Sequence, residues 1–342
     1  MFNLASLSSS QRVGRTRWLM AWLGMSFLLA LSGCTPIKVK LGMKVYLAKT
    51  PITSIEASLP KGPGIAPGEK SPLVVTVTEP GGKVLQTEGA GKGKVLWKDL
   101  TVAATVVSAD QKGVLSLPHD PRVSEGKMGH VAITVPSHPD LHAELDIPLR
   151  YDYPFVSNFS GSAGASGMDG TDGTNGSSGS MGSTDPNNPS AGGDGGNGGN
   201  GSDGGDGGNG GDAPSVQVLV TLTTGPHPPL QAAVSATGHR RLYLVDPTGG
   251  SLTVKADGGA GGSGGRGGRG GSGGAGGIGS PSGSNGTSGS DGRSGSDGSP
   301  GRGGSITVTY DPLVKPYLSA IHLSNRGGPA PVFKEAPVAA LW

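Results

Sequence analysis

The chain has 342 residues, of which 66 are glycine and only 4% are aromatic, and its formal net charge is +2. A single cysteine excludes an internal disulfide. A net charge near zero and a low aromatic content do not indicate nucleic-acid binding. The glycines are concentrated in periodic runs, so their phase carries more structural information than their number does.

Residues 1–33 have the pattern of a signal peptide. Arg12, Arg15 and Arg17 form a basic region, and the apolar run 18–30 that follows is too short for a permanent bilayer-spanning helix. This leader has three arginines and no acidic residue, so its removal leaves 24 basic side chains against 25 acidic ones. The mature chain is therefore expected to be nearly neutral.

The next residues, Leu31-Ser32-Gly33-Cys34, resemble the lipobox of bacterial lipoproteins. The resemblance implies cleavage before Cys34, diacylation of its thiol and acylation of its new amino group. Several acyl chains make a stable anchor, whereas a single chain binds a membrane weakly. The expected location is the bacterial cell envelope, at the outer membrane, with 34–36 as a lipidated tether. An ordinary secretory signal with an incidental cysteine is the alternative.

Residues 37–157 have the composition of a β domain. Short β-branched segments separated by Gly/Pro turns predict a sandwich. The predicted strands are 37–41, 73–78, 102–107, 130–135 and 143–149.

Three segments of this domain resemble bacterial immunoglobulin-like domains. They are Ala66-Pro67-Gly68-Glu69, Val95-Leu96-Trp97 and Gly113-Val114-Leu115-Ser116. The resemblance implies that Trp97 is the core aromatic residue of the sandwich.

Three histidines in the same domain lie close together in sequence, near two carboxylates. They are His130, His138 and His142, with Asp140 and Glu144. Such a group can bind a metal, but ordinary surface histidines are commoner, so no metal site is expected. Motifs for a serine nucleophile or for phosphate binding are absent from the sequence, and we expect neither enzymatic activity nor a cofactor.

Four runs carry glycine at every third position: Gly161–Gly182, Gly192–Gly211, Gly258–Gly279 and Gly283–Gly304. A polyproline-II type helix has three residues per turn, so each run forms a rod, about 65–70 Å long, with a bare side. Rods 1 and 2 are assigned to residues 158–212, and rods 3 and 4 to 258–304. Their matched lengths predict that they pack side by side.

The two middle runs read Gly-Gly-x, whereas the outer runs read Gly-x-y. Two bare ridges suit rods inside a bundle, and one suits rods at its margin. Opposite charges on rods 2 and 3 are expected to favour their adjacency. The acidic residues are Asp194, Asp203, Asp206 and Asp212, and the basic ones are Arg266 and Arg269.

Two other structures fit a glycine period. A flexible linker is one. Fixing the backbone of each residue costs about 1–2 kcal/mol of conformational entropy, whereas a hydrogen bond contributes only about 0.5–1.5 kcal/mol of net stability. A collagen-like triple helix is the other, although the runs contain almost no proline. The triplets resemble the polyglycine-II bundles of some phage tail-tip adhesins and of a glycine-rich antifreeze protein. This likeness implies packing and transfers no binding site.

Rod 2 also carries an acidic or amide side chain in every triplet, which resembles Ca²⁺-binding Gly/Asp-rich β-roll repeats. Those repeats have a nine-residue period and an aliphatic residue in each turn, and rod 2 has neither. A solvated acidic ridge is therefore favoured over a calcium site.

Between and after the rods, residues 213–257 and 305–326 read as strands of one small antiparallel sheet that gathers the rods at one end. Residues 327–342 form a Pro/Ala-rich C-terminal tail. The predicted fold class is mainly β: a sandwich, a glycine-rich helix bundle and a capping sheet, with almost no helix after the leader.

The connections predict that the two rod-to-rod turns, Ser183–Ala191 and 280–282, lie together at the far tip. Their residues are ordinary turn formers, so chain reversal alone explains them. The candidate binding residues are Asp185, Asn187, Asn188, Ser280 and Ser282.

The functional hypothesis is a lipid-anchored, non-enzymatic surface protein whose tip binds a protein or glycan at the envelope. The alternative is a structural envelope or matrix component in which the β domains make the contacts and the glycine runs act as spacers.

Overall fold

The computed structural model describes residues 35–224 and 229–342, so the leader and Cys34 lie outside the described residues. The chain forms two compact units, one ending at Arg150 and the other beginning at Tyr151. Strands make up 31% of the chain and helical turns 8%, which confirms the predicted mainly β class.

The first unit is built from short strands and a few helical turns. Its strands are β1 (Ser54–Ser58), β2 (Lys70–Pro72), β3 (Val74–Thr78), β4 (Val84–Gln86), β5 (Thr101–Thr105), β6 (Ser108–Ala109), β7 (Val114–Ser116), β8 (Gly129–Val135) and β9 (His138–Ile147). Its helical segments are α1 (Thr35–Lys40) and the 3-10 turns Leu47–Lys49, Gly89–Gly91, Trp97–Asp99 and Pro121–Val123. The strands form three antiparallel sheets, ordered β1-β3-β4, β2-β7-β6 and β5-β8-β9.

Three small sheets replace the two sheets of the predicted sandwich because two chain segments change sheet partway along. At Leu73 the chain passes from β2 to β3, and the Leu73 N–H donates to the Gly113 carbonyl at 2.7 Å. At Val106, which has a φ of 68°, it passes from β5 to β6. A β-branched residue at positive φ interrupts the extended backbone that a long strand requires.

One hydrophobic core serves all three sheets, and Trp97 belongs to it, as predicted. The indole is only 6% exposed, and its N–H donates to the Glu88 carbonyl at 3.2 Å. Gly113 packs against the ring, where a Cβ atom would overlap the indole. Burying a side chain such as the neighbouring Leu115 contributes about 1.5–3 kcal/mol.

The predicted strand 37–41 is wrong, because the chain forms helix α1 there. Gly42 follows the helix at a φ of 68°, and the N–H of Met43 donates to the Lys38 carbonyl at 2.9 Å. A left-handed glycine with such a bond is a common helix ending. Alternating apolar residues over so short a stretch do not distinguish a strand from a helix.

The second unit contains two sheets at the base of the glycine rods. Its strands are β10 (Pro154–Asn158), β11 (Val216–Leu222), β12 (Leu230–Ala236), β13 (His239–Val245), β14 (Ser251–Lys255), β15 (Ile306–Tyr310), β16 (Ile321–Ser324) and β17 (Val332–Glu335), with a 3-10 segment at Pro312–Ala320. The order β10-β14-β16 forms a parallel sheet, and β13-β12-β11-β15-β17 forms a mixed one.

The prediction of a single antiparallel sheet over 213–257 and 305–326 is therefore wrong. Strand β14 does not join the larger sheet but pairs in parallel with β10. Within the larger sheet, β11 pairs in parallel with β15. The cause is the direction of the rods. Strands β10 and β14 both lead into rods, and β11 and β15 both follow rods, so each pair keeps the direction of the rods it joins.

Two predicted domain boundaries also change. Residues 154–157 were assigned to the first domain, but β10 pairs with β14 and belongs to the second unit. The predicted tail 327–342 contributes β17 to the mixed sheet, and beyond it the Thr221 hydroxyl donates to the Val338 carbonyl at 3.0 Å. Both strands find partners far away in sequence, which local patterns do not reveal.

The four glycine runs pack side by side, which confirms the bundle and excludes the linker for this unit. Glycine N–H groups of rod 1 donate to rod 3 carbonyls, from Gly161 with Asp257 to Gly182 with Ile278, at 2.7–2.9 Å. The two rods run in parallel. Rod 2 runs antiparallel to rod 1 and parallel to rod 4, and rod 3 runs antiparallel to rods 2 and 4. We call this assembly the shaft.

The neighbours of each rod confirm the predicted difference between Gly-Gly-x and Gly-x-y runs. Rods 2 and 3 each bond to three other rods, whereas rods 1 and 4 each bond to the two middle rods. Rod 3 is the most enclosed, and one glycine in each of its triplets is buried, from Gly259 to Gly277. Both glycines are needed in rod 3 because a Cβ atom at Gly264 or Gly265 would overlap a neighbouring backbone.

The base of the shaft is tied to the parallel sheet by Asp257, which is only 8% exposed. One of its carboxylate oxygens accepts hydrogen bonds from the Ser324 hydroxyl and the Arg326 N–H, both at 2.7 Å. These bonds, with that from Ser324 the stronger influence, hold the pKa of Asp257 below its ordinary value of 3.8. The Asp257 carbonyl also accepts from Gly161, so this residue links β16, rod 1 and rod 3.

Candidate functional site

The two turns between rods lie together at the end of the shaft opposite the sheets. The Ser280 N–H donates to the Ser190 carbonyl at 2.8 Å, and the Gly192 N–H donates to the Pro281 carbonyl at 2.9 Å. We call residues 183–191 and 280–282 the tip. Their predicted adjacency is thus confirmed.

The longer tip loop is shaped by its own short-range hydrogen bonds. Asp185 Oδ1 accepts from the Asn187 N–H at 2.9 Å, and the Ser190 hydroxyl oxygen accepts from the Ser183 N–H at 2.7 Å. All five candidate binding residues are exposed: Asp185, Asn187, Asn188, Ser280 and Ser282. The tip therefore offers carboxylate, amide and hydroxyl groups to solvent on a fixed backbone.

Two apolar residues absent from the predicted site border the tip. Met181 on rod 1 is 81% exposed and Ile278 on rod 3 is 61% exposed. They lie at the same level of adjacent rods, because the N–H of Gly182, next to Met181, donates to the Ile278 carbonyl at 2.7 Å. Large apolar side chains are rare in these glycine-rich runs, which is the sequence feature that could have identified them.

The acidic and amide side chains of rod 2 do not form a free ridge but bind rod 4. In each triplet the side-chain oxygen accepts from a backbone N–H of rod 4, at 2.6–2.9 Å. The pairs are Asp194 with Ser284, Asn197 with Thr287, Asn200 with Ser290, Asp203 with Arg293, Asp206 with Ser296, Asn209 with Ser299 and Asp212 with Arg302.

The residue after each of these side chains completes the contact. The N–H of Gly198, for example, donates to the carbonyl of Thr287, whose own N–H is held by Asn197. One residue of rod 4 is thus gripped at both its N–H and its carbonyl. We call this pair of bonds an Asx-Gly clamp. The same arrangement joins Asp169 and Gly170 of rod 1 to Arg266 of rod 3.

The clamps change the electrostatic interpretation of the shaft. The predicted attraction between rod 2 carboxylates and the side chains of Arg266 and Arg269 is replaced by hydrogen bonds that those carboxylates accept from backbone N–H groups of rod 4. At Asp206, the Ser296 N–H and then the Ser296 hydroxyl hold the pKa of the carboxyl below its ordinary value of 3.8. Carboxylates accept from backbone N–H groups across parallel contacts, as Asp203 does from Arg293, and also across the antiparallel contact of rods 3 and 4, where Asp291 accepts from Gly270.

The histidines of the first unit do not converge. His130 Nδ1 lies 2.8 Å from Asp146 Oδ1 across β8 and β9, whereas His142 lies opposite Thr134 and His138 opposite Val135. Within 35–224 and 229–342, no three His, Cys, Asp or Glu side chains form a group that could hold a metal ion.

Cys34, the predicted lipidation site, lies outside the described residues. Among the residues that the structure describes, no helix is long and apolar enough to cross a bilayer. No protein-family model, curated protein or solved structure matches the chain.

Proposed function

We propose that this chain is a non-enzymatic lipoprotein of the bacterial cell envelope, anchored through Cys34 at the outer membrane, whose glycine shaft presents the tip for binding or adhesion. The observation that carries this proposal is the mutual packing of four rods that end in two joined loops. A flexible spacer has no need of matched rods, in-phase clamps or loops bonded to each other.

The tip combines two kinds of contact chemistry. Asp185, Asn187 and Asn188 supply exposed hydrogen-bonding groups, and Met181 and Ile278 supply exposed apolar surface. Exposed apolar side chains rimmed by polar groups are typical of interaction sites. The partner we propose is a protein or a glycan of the envelope or of a neighbouring surface, bound without a cofactor, a metal or nucleic acid.

The test is a tip variant in which 185–189 and 280–282 are replaced by inert turns and Met181 and Ile278 by serine. Binding of the full chain, purified in detergent, to peptidoglycan sacculi, outer-membrane vesicles and immobilised glycans is measured. The control is Met168→Ser, which removes an equally exposed methionine from the middle of rod 1. We expect the tip variant to lose binding and the control to keep it. Equal binding by both would exclude the tip as the site.

The second candidate is a structural envelope component in which the shaft only separates contact surfaces. It is favoured by Val332 and Phe333, which are 47% and 48% exposed on edge strand β17 at the base. Shortening all four rods by the same number of triplets should then alter reach and leave binding to the same probes unchanged. Replacing Val332 and Phe333 by serine should abolish that binding.

A further inference from the structure

The shaft contains all five Asn-Gly dipeptides of the chain, at Asn175, Asn197, Asn200, Asn209 and Asn285. In flexible peptides this dipeptide is the most readily deamidated, because glycine has no side chain that hinders the attack of its own backbone nitrogen on the asparagine side chain. We infer that these five asparagines are latent deamidation sites, which the packed shaft protects and which react when the shaft opens.

The reaction needs two groups that lie next to each other in the chain. The glycine nitrogen attacks Cγ of the preceding asparagine, an N–Cγ bond forms, and the Cγ–Nδ2 bond breaks. Ammonia leaves with the proton that the glycine nitrogen gives up. Water then opens the resulting succinimide at either carbonyl, to aspartate or to isoaspartate.

The clamp engages both reacting groups. At Asn197 the side-chain oxygen accepts from the Thr287 N–H at 2.9 Å, while the N–H of Gly198 donates to the Thr287 carbonyl at 2.8 Å. The attacking nitrogen and the side chain are thus held on either side of one rod 4 residue. Asn200 and Asn209 are held in the same way by Ser290 and Ser299.

The other two sites, Asn175 of rod 1 and Asn285 of rod 4, are both held by rod 3. Ser272 of rod 3 grips Asn175 and Gly176, at 3.0 Å and 2.8 Å. Asn285 accepts from the Gly276 N–H and Gly286 donates to the Gly274 carbonyl, each at 2.9 Å. All five asparagines are exposed, so water and hydroxide reach them. The protection is therefore conformational and not a matter of burial.

The two products have different consequences for the shaft. Aspartate keeps the side-chain oxygen that the clamp uses, as Asp194 and Asp203 show. Isoaspartate inserts an additional carbon into the backbone and breaks the three-residue phase. A segment that has opened and formed isoaspartate cannot pack again in register. The modified residue therefore marks each segment that has opened.

The first test compares the full chain in its native state and in denaturant, at the same mildly alkaline pH and temperature. Deamidation at each site is followed by peptide mass and by isoaspartate content. We expect the native sites to react about a hundredfold more slowly, since two hydrogen bonds of ordinary net strength must be broken. Equal rates in the two states would overturn the inference.

A pair of proline variants tests the clamp itself. Thr287→Pro removes the N–H that holds Asn197. Ser288→Pro removes an N–H that has no partner within 35–224 and 229–342, at a position equivalent to the natural Pro300. In the folded chain, the first variant should deamidate about tenfold faster at Asn197 while Asn209 stays unchanged. The second should match the parent chain. An unchanged rate at Asn197 in Thr287→Pro would contradict the protective role of the side-chain bond.

Discussion

Gly204 of rod 2 lies so close to Gly265 of rod 3 that a Cβ atom on Gly204 would overlap the Gly265 carbonyl oxygen. Its neighbour Gly205 faces rod 1 instead, and the nearest atom to a Cβ there would be the Met168 nitrogen at 3.3 Å. The two glycines of one triplet are therefore unequal. Ser202 occupies the looser of the two positions in the preceding triplet, and its hydroxyl oxygen accepts from the Thr171 N–H at 2.7 Å.

This difference predicts opposite effects for two alanine substitutions. Gly204→Ala should lower the free energy of unfolding of the shaft by about 1–3 kcal/mol, because the rods must separate to admit the methyl group. Gly205→Ala should be neutral or stabilising by up to about 1 kcal/mol, since it restricts the unfolded chain more than it disturbs the packing. Denaturant titration of ¹⁵N-glycine resonances measures both. Equal destabilisation would contradict the asymmetric packing.

The clamps predict that a side-chain acceptor matters more than its charge. Asn200→Ala removes the acceptor for the Ser290 N–H and should cost about 0.5–1.5 kcal/mol of stability. Asn200→Asp keeps the acceptor and should lie close to the parent chain, because Asp203 makes the same bond in the next triplet. The same denaturant titration compares the two. If Asn200→Asp lowered the stability as much as Asn200→Ala, the hydrogen bond to Ser290 would not account for the contribution of the side chain.

Asp257 predicts how acid affects the base of the shaft. Its pKa is lowered in the folded chain, so its contribution to stability is fully present above the unfolded value of about 3.8 and is lost as the pH falls through the lower folded value. Asp257→Ala, which removes the acceptor for Ser324 and Arg326, should cost about 1.5–3 kcal/mol at neutral pH.

The control for this prediction is Asp257→Asn, which keeps the shape of the side chain and removes its titration. Its stability, followed by thermal unfolding between neutral pH and about pH 3, should fall less steeply with acid than that of the parent chain. Identical acid dependence in the two proteins would show that Asp257 does not contribute to it.

Local sequence patterns predicted much of the shaft. Glycine at every third position fixes which ridge of each rod is bare, and the second glycine in rods 2 and 3 identified the two central rods. Turn residues at Asp185–Pro189 and Ser280–Ser282 located the reversals and hence the tip. These features succeed because each depends on residues only a few positions apart.

Features that depend on distant partners were not predictable in this way. The positions of β10 and β17 follow from pairing with β14 and β15, and the role of Asp203 follows from an amide of Arg293 on another rod. The rod 2 side chains were therefore interpreted as a solvated ridge. The apolar pair Met181 and Ile278 was within reach of sequence reasoning, but its position beside the tip becomes apparent only once rods 1 and 3 are placed side by side.

The most direct measurement of the central claim is amide hydrogen exchange along rod 4 in the full chain. The packed shaft predicts slow exchange at its glycines, which donate to rod 3, and at Thr287 and Ser290, which donate to clamps. It predicts fast exchange at third positions of the triplets, as in Ser288 and Asp291, whose N–H groups have no acceptor among the residues that the structure describes. Exchange that is slow at the first two positions of a triplet and fast at the third would support a shaft stabilised by hydrogen bonds to the backbone of its rods. Uniformly fast exchange would contradict it.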